Sequence, residues 1–275
     1  MSNFRQWAKT APCGWNSWDC FGAGVTEDEL IANADYMAKN LKQYGWEYIV
    51  CDIQWYEPKA RSNDYNNFTE LCMDEYGRLI PAENRFPSSA GGKGFKPIAD
   101  YVHSLGLKFG IHIMRGIPRQ AVHQNCPIYN SDKTCREVAH HFSVCSWNTD
   151  MYGMYNCEGA QEYYNSIINM YADWGVDFIK CDDICVTEFR KWDNPYSADY
   201  EIEMLRKAID GCGREIVLNA EASFSKALPS TIPVFSYSVT KYTIDIRANN
   251  KPKIILNKAS MVWLIAVGII LRKPS

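Results

Sequence analysis

The chain has 275 residues, 47% hydrophobic and 22% charged, with a net charge of -3. That balance excludes a disordered or fibrous polypeptide and suits one large domain or two small ones. No long basic run is present, which argues against nucleic acid or an anionic membrane surface as partner.

Residues 1–9 lack an apolar core followed by a small-residue cleavage site, so no signal peptide is expected as written and the cytoplasm is the default compartment. Gly14-Trp-Asn-Ser-Trp18 reads as the end of an opening strand. A helix is predicted over 26–44, with Thr26 and Glu29 forming a capping box and Leu30, Ala34, Met37 and Leu41 on one face. Strands follow over 48–52, 107–113, 176–182 and 215–219, with helices over 97–105, 158–174 and 197–210 between them. Gly45, Gly106, Gly175 and Gly211 stand just past helix ends, where a left-handed residue is expected. Cys126, Cys135, Cys145 and Cys157 fall in one loop-like stretch in which a disulfide would fit. Near the end, the longest apolar run covers 261–271, well short of the about 20 residues that span a bilayer.

Strand, helix, glycine, strand, repeated, is the sequence of a parallel α/β protein. Two architectures fit, a doubly wound sheet and a (β/α)8 barrel. Asp52, His112, Asp182 and Asn219 stand at or near the C-terminal ends of different strands, where barrel enzymes gather their chemistry. No Gly-x-Gly-x-x-Gly follows a strand, so the barrel is favoured. Five strands are used by residue 219, and the remainder is too short for three more units of about 30 residues each. Composition changes as well: residues 213–275 hold no cysteine and 3 acids against 9 bases. The expectation is a partial barrel over 1–219 and an atypical, truncated or altered tail over 220–275, with a small appended β segment as the rival.

Lys180-Cys181-Asp182-Asp183 is the sharpest chemical feature. A carboxylate at a barrel mouth, beside a lysine that keeps it ionised, can act as a nucleophile; a strand-end Asp capping the next turn is the plainer alternative. Asp52 has the same two readings. Trp18 and Trp55, each just after a strand, are candidate stacking walls or core residues, and the 9 Trp and 17 Tyr of the chain fit either role. His112 lies among apolar neighbours and reads as an interior histidine more than a metal ligand. Arg115 follows at the strand end, where it would grip a substrate oxygen or neutralise Asp182 or Asp52.

Gly14-Trp-Asn-Ser-Trp18, the strand ending at Asp52 with Trp55 beyond, Gly106-Leu-Lys-Phe-Gly-Ile111 and Trp174-Gly-Val-Asp-Phe-Ile-Lys-Cys-Asp182 together resemble glycoside hydrolase family 27 over about residues 11–218. The family comprises α-galactosidases and α-N-acetylgalactosaminidases, retaining enzymes on a (β/α)8 barrel. The resemblance implies Asp182 as nucleophile, Cys181 in place of an aromatic, and Trp18, Asp52 and Lys180 facing the sugar. It also exposes departures. The family's second aspartate after the second strand is replaced by Ile53, followed by Gln54, which removes a charge-assisted hydrogen bond of about 1.5–3 kcal/mol. The Trp-Arg-x-x-x-Asp stretch that carries the family's acid/base is absent; Asp245 is a weak substitute and Glu221 a weaker one. No part of residues 220–275 is expected to form the family's C-terminal β-sandwich.

The reading is a retaining hydrolase of terminal α-galactosides, with a small carbohydrate as substrate and no metal or organic cofactor required. Related specificities are α-N-acetylgalactosaminide and β-L-arabinopyranoside. An inactive sugar-binding remnant, and a metal-dependent barrel hydrolase using Asp52, His112 and Asp182, are the alternatives.

Overall fold

The computed structural model describes residues 12–61, 64–66, 68–145, 147–184 and 199–220. Five parallel strands form one sheet: β1 (Gly14–Asn16), β2 (Tyr48–Cys51), β3 (Lys108–Met114), β7 (Phe178–Asp182) and β8 (Val217–Ala220), in the order β1-β2-β3-β7-β8. After β1 come the one-turn helix α1 (Trp18–Phe21) and then α2 (Glu27–Asn40). The other long helices are α3 (Lys96–Ser104), α6 (Ala160–Asp173) and α7 (Asp199–Gly211). These are successive βα units of a partial (β/α)8 barrel, as expected. The tail expected over 220–275 lies outside the described residues from 221 onward, and with it Glu221 and Asp245.

Local chemistry explains the helix ends. The Glu29 carboxylate accepts from the Thr26 backbone N–H at 2.8 Å and from its hydroxyl at 2.9 Å, the capping box read from the sequence. Leu30, Ala34 and Met37 then face the core on α2. The helix itself is shorter than predicted: it stops at Asn40, and 42–44 form a 3-10 turn before Gly45 takes a left-handed φ of 87°. The fourth glycine expectation is corrected. Gly211 ends α7, and the left-handed position belongs to Gly213 at φ 76°.

Strand alternation sorts side chains into two environments. Ile49, Cys51, Phe109, Ile111, Ile179, Cys181 and Leu218 point outward into the main core beneath the helices. Tyr48, Val50, Phe178 and Val217 point inward as a separate buried cluster. Register places Gly110 beside Val50 and Phe178, where an added Cβ would sit 3.0 Å from the Phe178 Cβ and 3.1 Å from Val50 Cγ2. The inner layer above it pairs His112 with Lys180 and Lys180 with Asn219. The polar residues are thus on the inner face, one layer above an apolar floor.

Between β3 and β7 the chain forms structure not foreseen. β4 (Ile117–Pro118), β5 (Ala139–Val144) and β6 (Met151–Met154) make an antiparallel sheet in the order β4-β6-β5, with short helices α4 (Arg119–Gln124) and α5 (Cys135–Val138) between its strands. Gly116, at φ 85°, permits the turn into β4, since a Cβ there would lie 1.8 Å from the Tyr152 carbonyl oxygen. The disulfide expectation is corrected here: Cys126, Cys135 and Cys157 carry free thiols. Burial pushes the Cys135 thiol up to about 12. No helix among the described residues is long and apolar enough to cross a membrane.

Candidate active site

The Gly-Trp-Asn-Ser-Trp stretch is a scaffold for Asp52. Asn16 Nδ2 donates to Asp52 Oδ2 at 2.5 Å, while Asn16 Oδ1 accepts from the Trp18 backbone N–H at 2.9 Å. The Ser17 hydroxyl oxygen accepts from the Asp52 backbone N–H at 2.9 Å. The Ile53 N–H closes the set on Asp52 Oδ1 at 2.9 Å. Asp52 is 1% exposed, so these donors and a nearby cation supply what water would otherwise provide.

That cation is Lys180. Its Nζ stands 3.2 Å from Asp52 Oδ2 and 3.3 Å from Asp182 Oδ2, bridging two carboxylates from β2 and β7. His112 Nε2 lies 2.8 Å from the same Asp182 oxygen. An ionised carboxylate only accepts, so Nε2 carries the proton. Asp52, His112 and Asp182, the residues of the metal-dependent alternative, are thus linked through Asp182 and the Lys180 ammonium, which stands between the two acids. Among the described residues no three of His, Cys, Asp and Glu are grouped as metal ligands.

At the mouth, the Trp18 ring stacks on Tyr65 at 5.7 Å between centroids and 19° between planes, and Tyr65 meets Trp147 at 5.7 Å. Trp147 is 45% exposed. Burial first, and the negative charges of Asp52 and Asp182 after it, push the Tyr65 hydroxyl well above its ordinary value. Tyr65 and Trp147 escaped sequence reasoning because they sit in loops with no periodic signal. Asn16 was inside a quoted motif, and its polar side chain on a strand otherwise shut in the core was the available clue.

Two sequence candidates are placed differently. Trp55 is fully buried: its Nε1 donates to the His112 carbonyl at 2.8 Å, and its ring packs edge-on against Tyr56, Phe95, Tyr171 and Trp174. It is a core residue and no sugar wall. Arg115 is 1% exposed and pairs with Glu201 at 2.9 Å and Asp183 at 3.3 Å, neither Asp52 nor Asp182. Burial alone would lower its pKa, but Glu201 and Asp183 outweigh it and hold the guanidinium above the ordinary arginine value. Gln54, which follows Ile53, is fully buried and donates to Asp150 at 2.6 Å.

No protein-family model matches the sequence. Alpha-galactosidase A of Cellvibrio japonicus is 31% identical over 217 residues, 78% of this chain and 39% of that protein. A solved β-L-arabinopyranosidase of glycoside hydrolase family 27 from Geobacillus stearothermophilus is 60% identical, with TM-score 0.77 over 81% of this chain and 50% of that one. A variant of the same enzyme has been solved in complex with arabinose. Alpha-galactosidase I of Mortierella vinacea, at 21% identity and TM-score 0.50 over 78% of this chain and 40% of that one, shares the fold alone. The chain spans half or less of the length of each of these relatives.

Proposed function

The chain belongs to glycoside hydrolase family 27, and on that premise we propose that it serves a retaining hydrolysis of terminal β-L-arabinopyranosides in preference to α-D-galactosides. The two sugars share the same arrangement of ring hydroxyls. They differ at C5, where galactose carries a hydroxymethyl group and arabinopyranose a hydrogen. The observation that carries the choice is Ile53. The family's second carboxylate is replaced by an apolar side chain, 1% exposed, directly beside Asp52. A hydroxymethyl oxygen finds no charged partner at that position, while arabinopyranose needs none. The 60% identity to an enzyme described as a β-L-arabinopyranosidase supports the same choice.

In this reading an Asp182 oxygen forms a bond to the anomeric carbon as the glycosidic C–O bond breaks, and a second carboxyl gives its proton to the leaving oxygen. Water, deprotonated by that same carboxyl, then displaces Asp182 with a second inversion. Lys180 and His112 hold the nucleophile ionised and oriented, and Asp52 with Lys180 would take the ring hydroxyls. Trp18 and Tyr65 form the aromatic wall. Asp245 remains the acid/base suggested by sequence, outside the described residues.

The test is turnover of paired aryl glycosides. Aryl β-L-arabinopyranoside is expected to exceed aryl α-D-galactopyranoside in kcat/KM, and Ile53→Asp to move the ratio toward galactoside by about 10-fold or more, the worth of one charge-assisted hydrogen bond. A ratio unmoved by Ile53→Asp would overturn the assignment.

A further inference from the structure

Arg115 makes contacts with three separate segments from one buried position. Its Nε donates to the Asp183 backbone carbonyl at 2.5 Å and lies 3.3 Å from the Asp183 carboxylate. Nη1 donates to Glu201 on α7 at 2.9 Å, and Nη2 to the Ser143 hydroxyl on β5 at 2.8 Å. The Arg115 backbone N–H donates to the Asp182 carbonyl at 3.1 Å. One residue therefore holds the carbonyls of both Asp182 and the residue after it.

The segment being held is strained. Asp183 has φ 59°, in the left-handed region that side chains other than glycine adopt reluctantly. Glu201, in turn, is fully buried and accepts from the Met154 backbone N–H at 2.8 Å as well as from Arg115. Space for the guanidinium depends on Gly153, where an added Cβ would fall 2.1 Å from Arg115 Nη1 and 2.8 Å from the Ser143 hydroxyl.

We infer that Arg115, locked by Glu201 and Ser143, is a positioning residue that sets the turn carrying the nucleophile. It touches no sugar; it fixes where Asp182 leaves the strand. This rests on Asp182 being the nucleophile. A misplacement of a reacting group by about 1 Å can cost roughly 100-fold in rate, so a clamp on this backbone acts on catalysis and on folding alike.

The experiment uses the full chain and a 2-deoxy-2-fluoro-β-L-arabinopyranosyl fluoride, whose fluoride leaves without a proton donor. Intact mass gives the trapping rate kinact and the half-saturation Ki, and peptide mapping gives the labelled residue. In the unaltered protein the label should fall on Asp182. For Glu201→Gln and Gly153→Ala, kinact should drop by about 10-fold or more with Ki within about 2-fold, a change in attack and not in binding. Ser143→Ala, the mildest change, should fall between. A clamp with a folding role alone would lower the melting temperature and leave kinact of the folded protein unchanged, which would overturn the inference. Should Glu201→Gln fail to fold, Ser143→Ala and Gly153→Ala decide by the same criterion. Label absent from Asp182 in the unaltered protein would overturn the nucleophile assignment, and this inference with it. Label on Asp182 with variants indistinguishable from the unaltered protein would overturn the clamp alone.

Discussion

Lys180→Met probes the centre of the site through stability, independently of any substrate. The ammonium is 3.2 Å from Asp52 and 3.3 Å from Asp182, with side chains 16%, 1% and 7% exposed. At an effective dielectric near 20, a unit pair at such a separation attracts by about 5 kcal/mol, before the cost of removing the ions from water. Removing one partner of a buried pair typically costs about 3–5 kcal/mol, because the remaining charge is left without compensation. Here two carboxylates would be left, with Asn16 and His112 as their remaining side-chain donors among the contacts described. The expected loss is therefore about 3–5 kcal/mol, or roughly 10 °C in Tm for a domain of this size. Urea denaturation followed by tryptophan fluorescence would measure it, and an unchanged m-value would confirm that the folded and unfolded states compare directly. On an Asp52→Asn background the same substitution should cost at least ~1 kcal/mol less, because one of the two acids is already neutral. A loss below ~1 kcal/mol, or an equal loss on both backgrounds, would refute the idea that Lys180 compensates these carboxylates.

Other expectations follow from the same geometry. His112→Asn withdraws a donor 2.8 Å from Asp182 and should slow its trapping by a fluorosugar about 10-fold or more; an unchanged trapping rate with native circular dichroism would count against it. Trp55→Ala should destabilise by about 3–5 kcal/mol as a buried core deletion, whereas Trp147→Ala, at an exposed ring, should stay within ~1 kcal/mol and weaken sugar binding instead. Equal thermal shifts would contradict the separation. Far from the site, Asp177 accepts from His103 at 2.7 Å, the Phe109 N–H at 2.9 Å and Arg214 at 2.6 Å. Burial raises its pKa, but these partners outweigh it and leave the carboxyl below its ordinary value. Its contribution is therefore present above the unfolded value of about 3.9 and lost as pH falls through the folded one. Asp177→Asn should flatten the loss of stability on the acid side, and identical slopes for the two proteins would exclude this pair as a source of it.

The sequence alone disclosed the barrel strands because each is buried on both faces and so reads as a continuous apolar run closed by a polar residue. Helix starts and ends were equally local, as with the Thr26–Glu29 box and Gly45, since a cap is made by residues three or four apart. The antiparallel sheet between β3 and β7 left no such trace. Its β4 is two residues long and contains Pro118, and β5 is partly exposed, so neither has a periodic pattern to read. Motif and position marked Asp52, Lys180 and Asp182 together, and the inner-face register brings them within ion-pair reach of one another.

What only the tertiary structure decided is which of two similar residues is shut in the core. Trp18 and Trp55 both follow strands, yet Trp55 turns into the main core and donates to the His112 carbonyl, 57 residues away in the chain. Arg115 sits at a strand end suited to a substrate contact, but its partners Asp183 and Glu201 lie 68 and 86 residues on. Burial and charge pairing depend on distances in space, whereas propensity and periodicity act over a few neighbours along the chain. A cation or an indole is therefore legible as a candidate from its position, and its role is set by whichever distant groups the fold brings within about 3 Å.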